Sequence, residues 1–176
     1  MKRFKFTYDK DAEEQWVNAL CQEGWALRSF FAGICEFTPC EKGEYIYRID
    51  LLPGKGITCA DDAEDYYSFM EETGVEIVQR WGRWVYLRKK TADGPFELYT
   101  DTESELALYQ RIRKMFFSFL ILEVCCSLTV WPSLLLHPSS FHGILAAFYI
   151  AVFVLALRAI LRCTRKIEEL RRKSAA

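Results

Sequence analysis

Two tryptophans, a tyrosine and five basic side chains crowd the stretch RWGRWVYLRKK at residues 80–90. Such a density of aromatic and cationic groups can stack nucleobases, wall a ligand pocket or touch anionic lipid. The surroundings argue against the first. Residues 1–110 hold 13 Lys+Arg against 21 Asp+Glu, a net −8, whereas nucleic-acid binding draws much of its affinity from neutralised phosphates. No nucleic-acid partner is expected. The candidate ligand or partner surface is Tyr47, Trp81, Trp84 and Tyr86, competing with the plainer reading that aromatics on a strand are core. Arg88, Lys89 and Lys90 follow as a solvated end and as candidate lipid contacts.

Other groups capable of chemistry are scattered. The two histidines, His137 and His142, are separated by Ser, Pro and Phe residues only, a composition that reads as a solvated loop rather than a metal site. Cys35 and Cys40 lack the two-residue spacing of zinc knuckles, so buried or single reactive thiols are expected. PGKGIT, from Pro53, has glycines and a lysine without full phosphate-loop spacing and reads as a turn. Asp61, Asp62, Glu64, Asp65, Glu71 and Glu72 read as the solvated face of one helix. No catalytic residue, metal or cofactor is assigned, and an enzyme is not expected.

The elements that would position these groups fall into two halves of opposite charge. Residues 111–176 hold 10 Lys+Arg against 3 Asp+Glu, a net +7, and they carry the long apolar runs. MFFSFLILEVCCSLTVWPSLLL at 115–136 has about the length that crosses roughly 30 Å of hydrocarbon. FHGILAAFYIAVFVLAL follows at 141–157 without a charge and continues to Leu161. A soluble helix of this length would show a polar stripe, and these do not. The basic flanks, Arg111, Arg113 and Lys114 before the pair and Arg158, Arg162 and Arg165 at its end, place both termini in the cytoplasm. Arg158, Arg162 and Arg165 are further candidate lipid contacts. Glu123, about two turns into the first run, is the one intramembrane carboxylate: a functional group by default, or a carboxyl near the headgroups, protonated or paired to a helix. No apolar leader opens the chain, and seven cysteines at irregular spacing fit a reducing compartment.

The front half repeats one grammar. Phe4, Phe6 and Tyr8 alternate as a half-buried strand; Ala12, Trp16, Val17, Leu20 and Cys21 share a helical face that Gly24 ends; WALRSFFAGICEFTPC reads as a strand. EYIYRIDLL, then DAEDYYSFMEETG with Ala63, Tyr66, Tyr67 and Met70 on one face, then VEIVQRWGRWVYLRKK repeat the order. Two strand–helix–strand units pairing into one sheet give an α+β, ferredoxin-like split arrangement. Gly82 kinks the last strand or turns it into a short hairpin. Thr102 and Glu105 offer a capping box for a helix running unbroken into the first apolar run. The expected boundaries are a cytosolic domain at 1–100, a helical stalk at 101–114, a transmembrane hairpin at 115–161 and a basic cytosolic tail at 162–176.

GEYIYRI, EETGVE, WGRWVYLRKK and ADGPFELY, in order and followed by two apolar runs, resemble the DUF2812 family of bacterial membrane-anchored proteins. The resemblance spans roughly residues 2–113. It implies a PadR-like transcription regulator as a partner, because family members are commonly encoded beside one, and it supplies no catalytic residues. Two functions are left standing: a membrane-anchored cytosolic binding or regulatory module, and a structural accessory subunit of a membrane complex. An exposed aromatic sheet face or a lined pocket favours the first; a filled core and a small-residue helix face favour the second.

Overall fold

The computed structural model describes residues 1–5, 7, 9–31, 33–54, 63–136 and 139–174. Phe6, Tyr8, the PGKGIT loop from Lys55 onward, Asp61, Asp62 and His137 lie outside the described residues. The chain divides into two compact units, Met1–Thr100 and Asp101–Ala176.

The front unit is α+β. Strand β1 (Lys2–Phe4) leads to helix α1 (Lys10–Gln22), which Asp9 caps by accepting from Asp11 N at 3.2 Å. Gly24, at φ +92°, ends α1 in the left-handed conformation that a side chain resists. Strands β2 (Trp25–Phe31) and β3 (Ile34–Pro39) follow, and WALRSFFAGICEFTPC is therefore a hairpin, not one strand. Strand β4 (Tyr45–Leu51) opens the second half, which continues with helix α2 (Ala63–Glu72) and strands β5 (Glu76–Trp81) and β6 (Trp84–Lys90). Gly74, at φ +76°, ends α2, and Gly82, at φ +58°, lies in the β5–β6 turn.

The extra strand in each half changes the topology. Two antiparallel three-stranded sheets form, in the orders β1-β3-β2 and β4-β6-β5, where the sequence predicts one ferredoxin-like sheet. A short hairpin pairs with itself before it can pair elsewhere, which gives each half its own sheet. The halves are copies in detail: β2 bulges between Leu27 and Ser29, and β5 bulges fifty residues later, between Ile77 and Gln79. Strand β1 is exposed throughout rather than half-buried.

One core joins the halves. Val17, Leu20 and Cys21 of α1 pack with Leu27, Phe30, Cys35 and Phe37 of the first sheet and with Tyr47, Ile49 and Tyr86 of the second. The other face of the second sheet buries Val85 and Leu87 under Tyr67 of α2, with Leu52, Val75 and Phe96. Edge strand β4 is closed by α1. Glu14 Oε1 accepts from Ile49 N at 2.7 Å, Asn18 Oδ1 accepts from Tyr47 N at 2.8 Å, and Cys21 Sγ accepts from Tyr45 N at 3.4 Å. The Asn18 amide also donates to Tyr47 O at 3.0 Å, so one side chain replaces a ladder step.

The rear unit is two helices, α3 (Thr102–Leu136) and α4 (Ser140–Ser174). Asp101, not Thr102, caps α3: its Oδ1 accepts from Ser104 N at 2.7 Å. Glu105 instead lies 3.8 Å from Lys166 of α4. The described part of the basic tail, to Ser174, forms the last turns of α4, where Cys163, Ile167 and Leu170 are buried, as are Leu108, Tyr109 and Ile112 of α3. Further along, both helices expose large apolar side chains, from Phe117 and Phe119 through Leu136 on α3 and from Phe141 to Leu161 on α4. Each is long and apolar enough to cross a membrane, and only 12% and 17% of their most apolar windows are buried.

Residues 1–100 are expected to unfold cooperatively as an isolated fragment. Asn18→Leu in that fragment strands the N–H of Tyr47, whose C=O still accepts from the Arg48 guanidinium at 3.1 Å, and is expected to cost roughly 1–3 kcal/mol. Urea unfolding reads this as a lower midpoint with an unchanged slope. A shift of less than about 1 kcal/mol would mean that water or a neighbour replaces the amide.

Candidate functional site

The four aromatic residues singled out in the sequence do not form one surface. Tyr47 is 1% exposed, and its hydroxyl accepts from Leu27 N at 3.0 Å, tying the second sheet to the first. Tyr86 is also buried; it stacks on Phe30 at 5.1 Å and donates to Glu13 Oε1 at 2.8 Å. Both are core residues and are withdrawn from the candidate surface. Trp84 is half-buried against the same core. Only Trp81 stands out, 48% exposed, with its ring edge-on to Phe30 at 5.7 Å. Side chains alternate along β6: Trp84 and Tyr86 face one core cluster, Val85 and Leu87 the other.

Arg88 is engaged at the far end of β6 from Trp84. Its guanidinium lies 2.6 Å from Glu76 and 4.3 Å above the Tyr45 ring. Lys89 is half-exposed and Lys90 exposed. Arg158, Arg162 and Arg165 are exposed along α4. Glu123 is half-exposed on α3, and its Oε2 is buried with no hydrogen-bond partner among the described residues. His142 Nδ1 lies 2.7 Å from Ser139 Oγ, which also accepts from His142 N at 3.3 Å, so this histidine belongs to the start of α4. Among the described residues no group of three His, Cys, Asp or Glu could hold a metal ion.

The structure brings together polar groups that the sequence does not connect. Asp50, 2% exposed, accepts from the Tyr66 hydroxyl at 2.9 Å and the Tyr99 hydroxyl at 2.6 Å, pinning both α2 and the segment after β6 to β4. Glu13 is held above the usual carboxylate range by burial, against the opposing pull of its bond from Tyr86. Burial and the nearby Glu13 push the Cys35 thiol up to about 11. Burial and contact with Cys21 push Cys40 to about 11 as well. At neutral pH these are thiols, and the thiolate is the nucleophile. Tyr66 and Tyr99 were legible as aromatic residues of a helix and a loop, but their common partner lies 16 and 49 residues away. No local spacing reports such a contact.

A family described as a protein of unknown function, DUF2812, matches residues 9–121. The chain belongs to the DUF2812 family. Among curated proteins and among solved structures, nothing matches it. The DUF2812 match begins at the Asp9 cap of α1, includes both sheets except β1, and runs into the apolar part of α3. The family pattern thus includes the start of the apolar helix as well as the α+β unit.

The Glu13 environment sets a pH dependence. A carboxyl raised in the folded state contributes stability that is fully present below its unfolded value and is lost as pH rises through the folded value. Stability is therefore expected to decline above pH 4.5, the ordinary carboxyl value, because ionised Glu13 is poorly solvated. Glu13→Gln keeps an oxygen for Tyr86 and is expected to flatten this part of the profile in urea titrations at several pH values. An unchanged profile would place the dependence on other carboxyls.

Proposed function

We propose that this DUF2812 chain is a membrane-anchored, non-catalytic interaction module. Its front unit is held at the cytoplasmic face by two membrane-crossing helices, with both termini inside. The observation that carries the reading is the long apolar surface of α3 and α4: side chains such as Phe117, Leu128, Ile144 and Phe153 are exposed in helices that a soluble protein would bury. The orientation rests on the basic flanks. The non-catalytic part is supported by the tying of polar groups into structure, with Asp50 between two tyrosines, Glu13 on Tyr86 and Cys35 and Cys40 kept as thiols.

The partner is proposed to be a protein at the membrane surface rather than a small ligand behind an aromatic wall, since Tyr47 and Tyr86 are buried. The PadR-like regulator implied by the family resemblance is the first partner to test. A structural role within a larger membrane complex is the second reading. It is favoured by the small residues Ala146, Ala156 and Ala159 buried along α4, the kind of face that lets membrane helices approach closely.

A phosphatase–fluorescent-protein reporter pair fused after Ala176 is expected to report a cytoplasmic end; an exported reporter would sink the topology. Purification of the tagged full chain from its native membranes after cross-linking is expected to retain one protein reproducibly. Recovery of the PadR-like regulator supports the module reading, and recovery of integral membrane subunits alone supports the structural one.

A further inference from the structure

The internal repeat exposes an asymmetry. In the second sheet, the face bearing Trp84 and Tyr86 is covered by the first half of the chain. The same face of the first sheet carries Ile34 and Glu36 in place of Trp84 and Tyr86, and there the side chains face out. Phe4, Ile34 and Phe31 are register partners across β1, β3 and β2, so they form one row on one face. They are 73%, 49% and 72% exposed. Phe4 also lies over Gly33, where an added Cβ would come within 2.9 Å of its ring. This row sits at the tip of the β2–β3 hairpin. The tip of the β5–β6 hairpin lies at the inner face of the same tip, because the exposed Trp81 touches Phe30, the inward-facing neighbour of Phe31.

Charge at this end differs from the rest of the unit. The strands of the first sheet carry Lys2, Arg3 and Arg28, all exposed, against one acid, Glu36, although residues 1–110 are net −8. Arg83 adds a further cation in the β5–β6 turn. The chain also leaves the front unit on this side. Tyr99 reaches Asp50, whose strand partner Val85 directly follows the tip residue Trp84.

We propose that the paired hairpin tips, Phe4, Phe31 and Ile34 beside Trp81, dock into the interface of an anionic bilayer. The inference rests on the membrane-anchored reading above. Aromatic and branched apolar side chains enter the headgroup–acyl boundary, where tryptophan is favoured, while a basic collar is drawn to anionic headgroups. A bilayer is the surface within constant reach of a tethered unit, and the sign of the collar matches it. Lys89 and Lys90, at the opposite end of β6, have no part in this contact.

The test uses the full chain reconstituted into phosphatidylcholine vesicles with and without phosphatidylglycerol. A benzophenone amino acid is placed at position 31, at position 69 on α2, or at position 148 within α4. Illumination is expected to give lipid adducts at 148 in both vesicles, and at 31 chiefly with phosphatidylglycerol and at low salt. Position 69, itself an exposed phenylalanine, is expected to give far less lipid adduct. Arg28→Gln is expected to lower the docked fraction up to about fivefold, and Lys89→Ala with Lys90→Ala to leave it unchanged. Lipid adducts at 148 but not at 31, equal adducts at 31 and 69, or adducts at 31 to a second copy or another protein would overturn the docking proposal alone. Absence of lipid adducts at 148 would overturn the anchoring and the docking together.

Discussion

The outer edge of β4 is the constraint on which the front unit depends. An antiparallel edge strand leaves alternate N–H and C=O groups without partners, and buried ones must be satisfied. Here the partners come from a helix face. Glu14, Asn18 and Cys21 follow one another at spacings of four and three, the spacing that puts residues on one side of a helix. Alternate residues of a strand are about 6.7 Å apart, and helix residues four apart are separated by about 6 Å along the axis. The two repeats therefore stay in step for three residues. The difference is absorbed by side-chain length, with long Glu14 at one end and short Cys21 at the other. Lys10, 2.8 Å from Glu14, balances the charge that this arrangement brings out of water.

Closing the edge in this way makes α1 common property of both halves. Its apolar residues complete the first sheet while its polar ones complete the second, so neither half has a finished core alone. The tyrosines then act as cross-ties. Tyr47 reaches back to Leu27, and Tyr86 reaches across to Glu13, each with its ring buried and its hydroxyl bonded. Burial also pushes the Tyr47 hydroxyl up to about 12, so it remains a neutral hydrogen-bonding group at any ordinary pH. These rings face inward because the halves are copies that stack, and stacking consumes one aromatic face. It leaves the equivalent face of the first sheet without a counterpart from within the repeat.

The sequence was most legible where a single physical pattern dominates a long stretch. The apolar runs at 115–136 and 141–161 correspond to parts of α3 and α4, and Gly24 and Gly74 end α1 and α2 as their positive φ requires. Hairpins were harder. Alternation holds on either side of the turn, and only a one-residue change of phase between Phe31 and Ile34, three apart yet on one face, marks the reversal. The candidate surface failed for a related reason. Phe4 and Phe37 look alike in sequence, and so do Trp81 and Tyr86, but one of each pair is exposed and the other buried. Which face a strand presents is decided by what stacks on it, and that partner lies in the other half of the chain.

The helical pair shows the same dependence of meaning on surroundings. Along α4 the buried residues Ala156, Ala159, Cys163, Ile167 and Leu170 are spaced three, four, four and three apart, a continuous seam against α3. Its composition changes along the way, from alanines within the apolar stretch to isoleucine and leucine among the charged residues. In hydrocarbon, burying a large apolar side chain between helices gains little over leaving it in lipid, so close approach through small residues is the better source of contact. In water the hydrophobic effect rewards the larger side chain. The seam therefore changes from small to large where the outward-facing residues change from Phe153, Val154 and Leu157 to Arg165, Glu168 and Glu169. Both changes are those that the proposed membrane crossing would impose, and the inner face of α4 supports that proposal independently of the outer face.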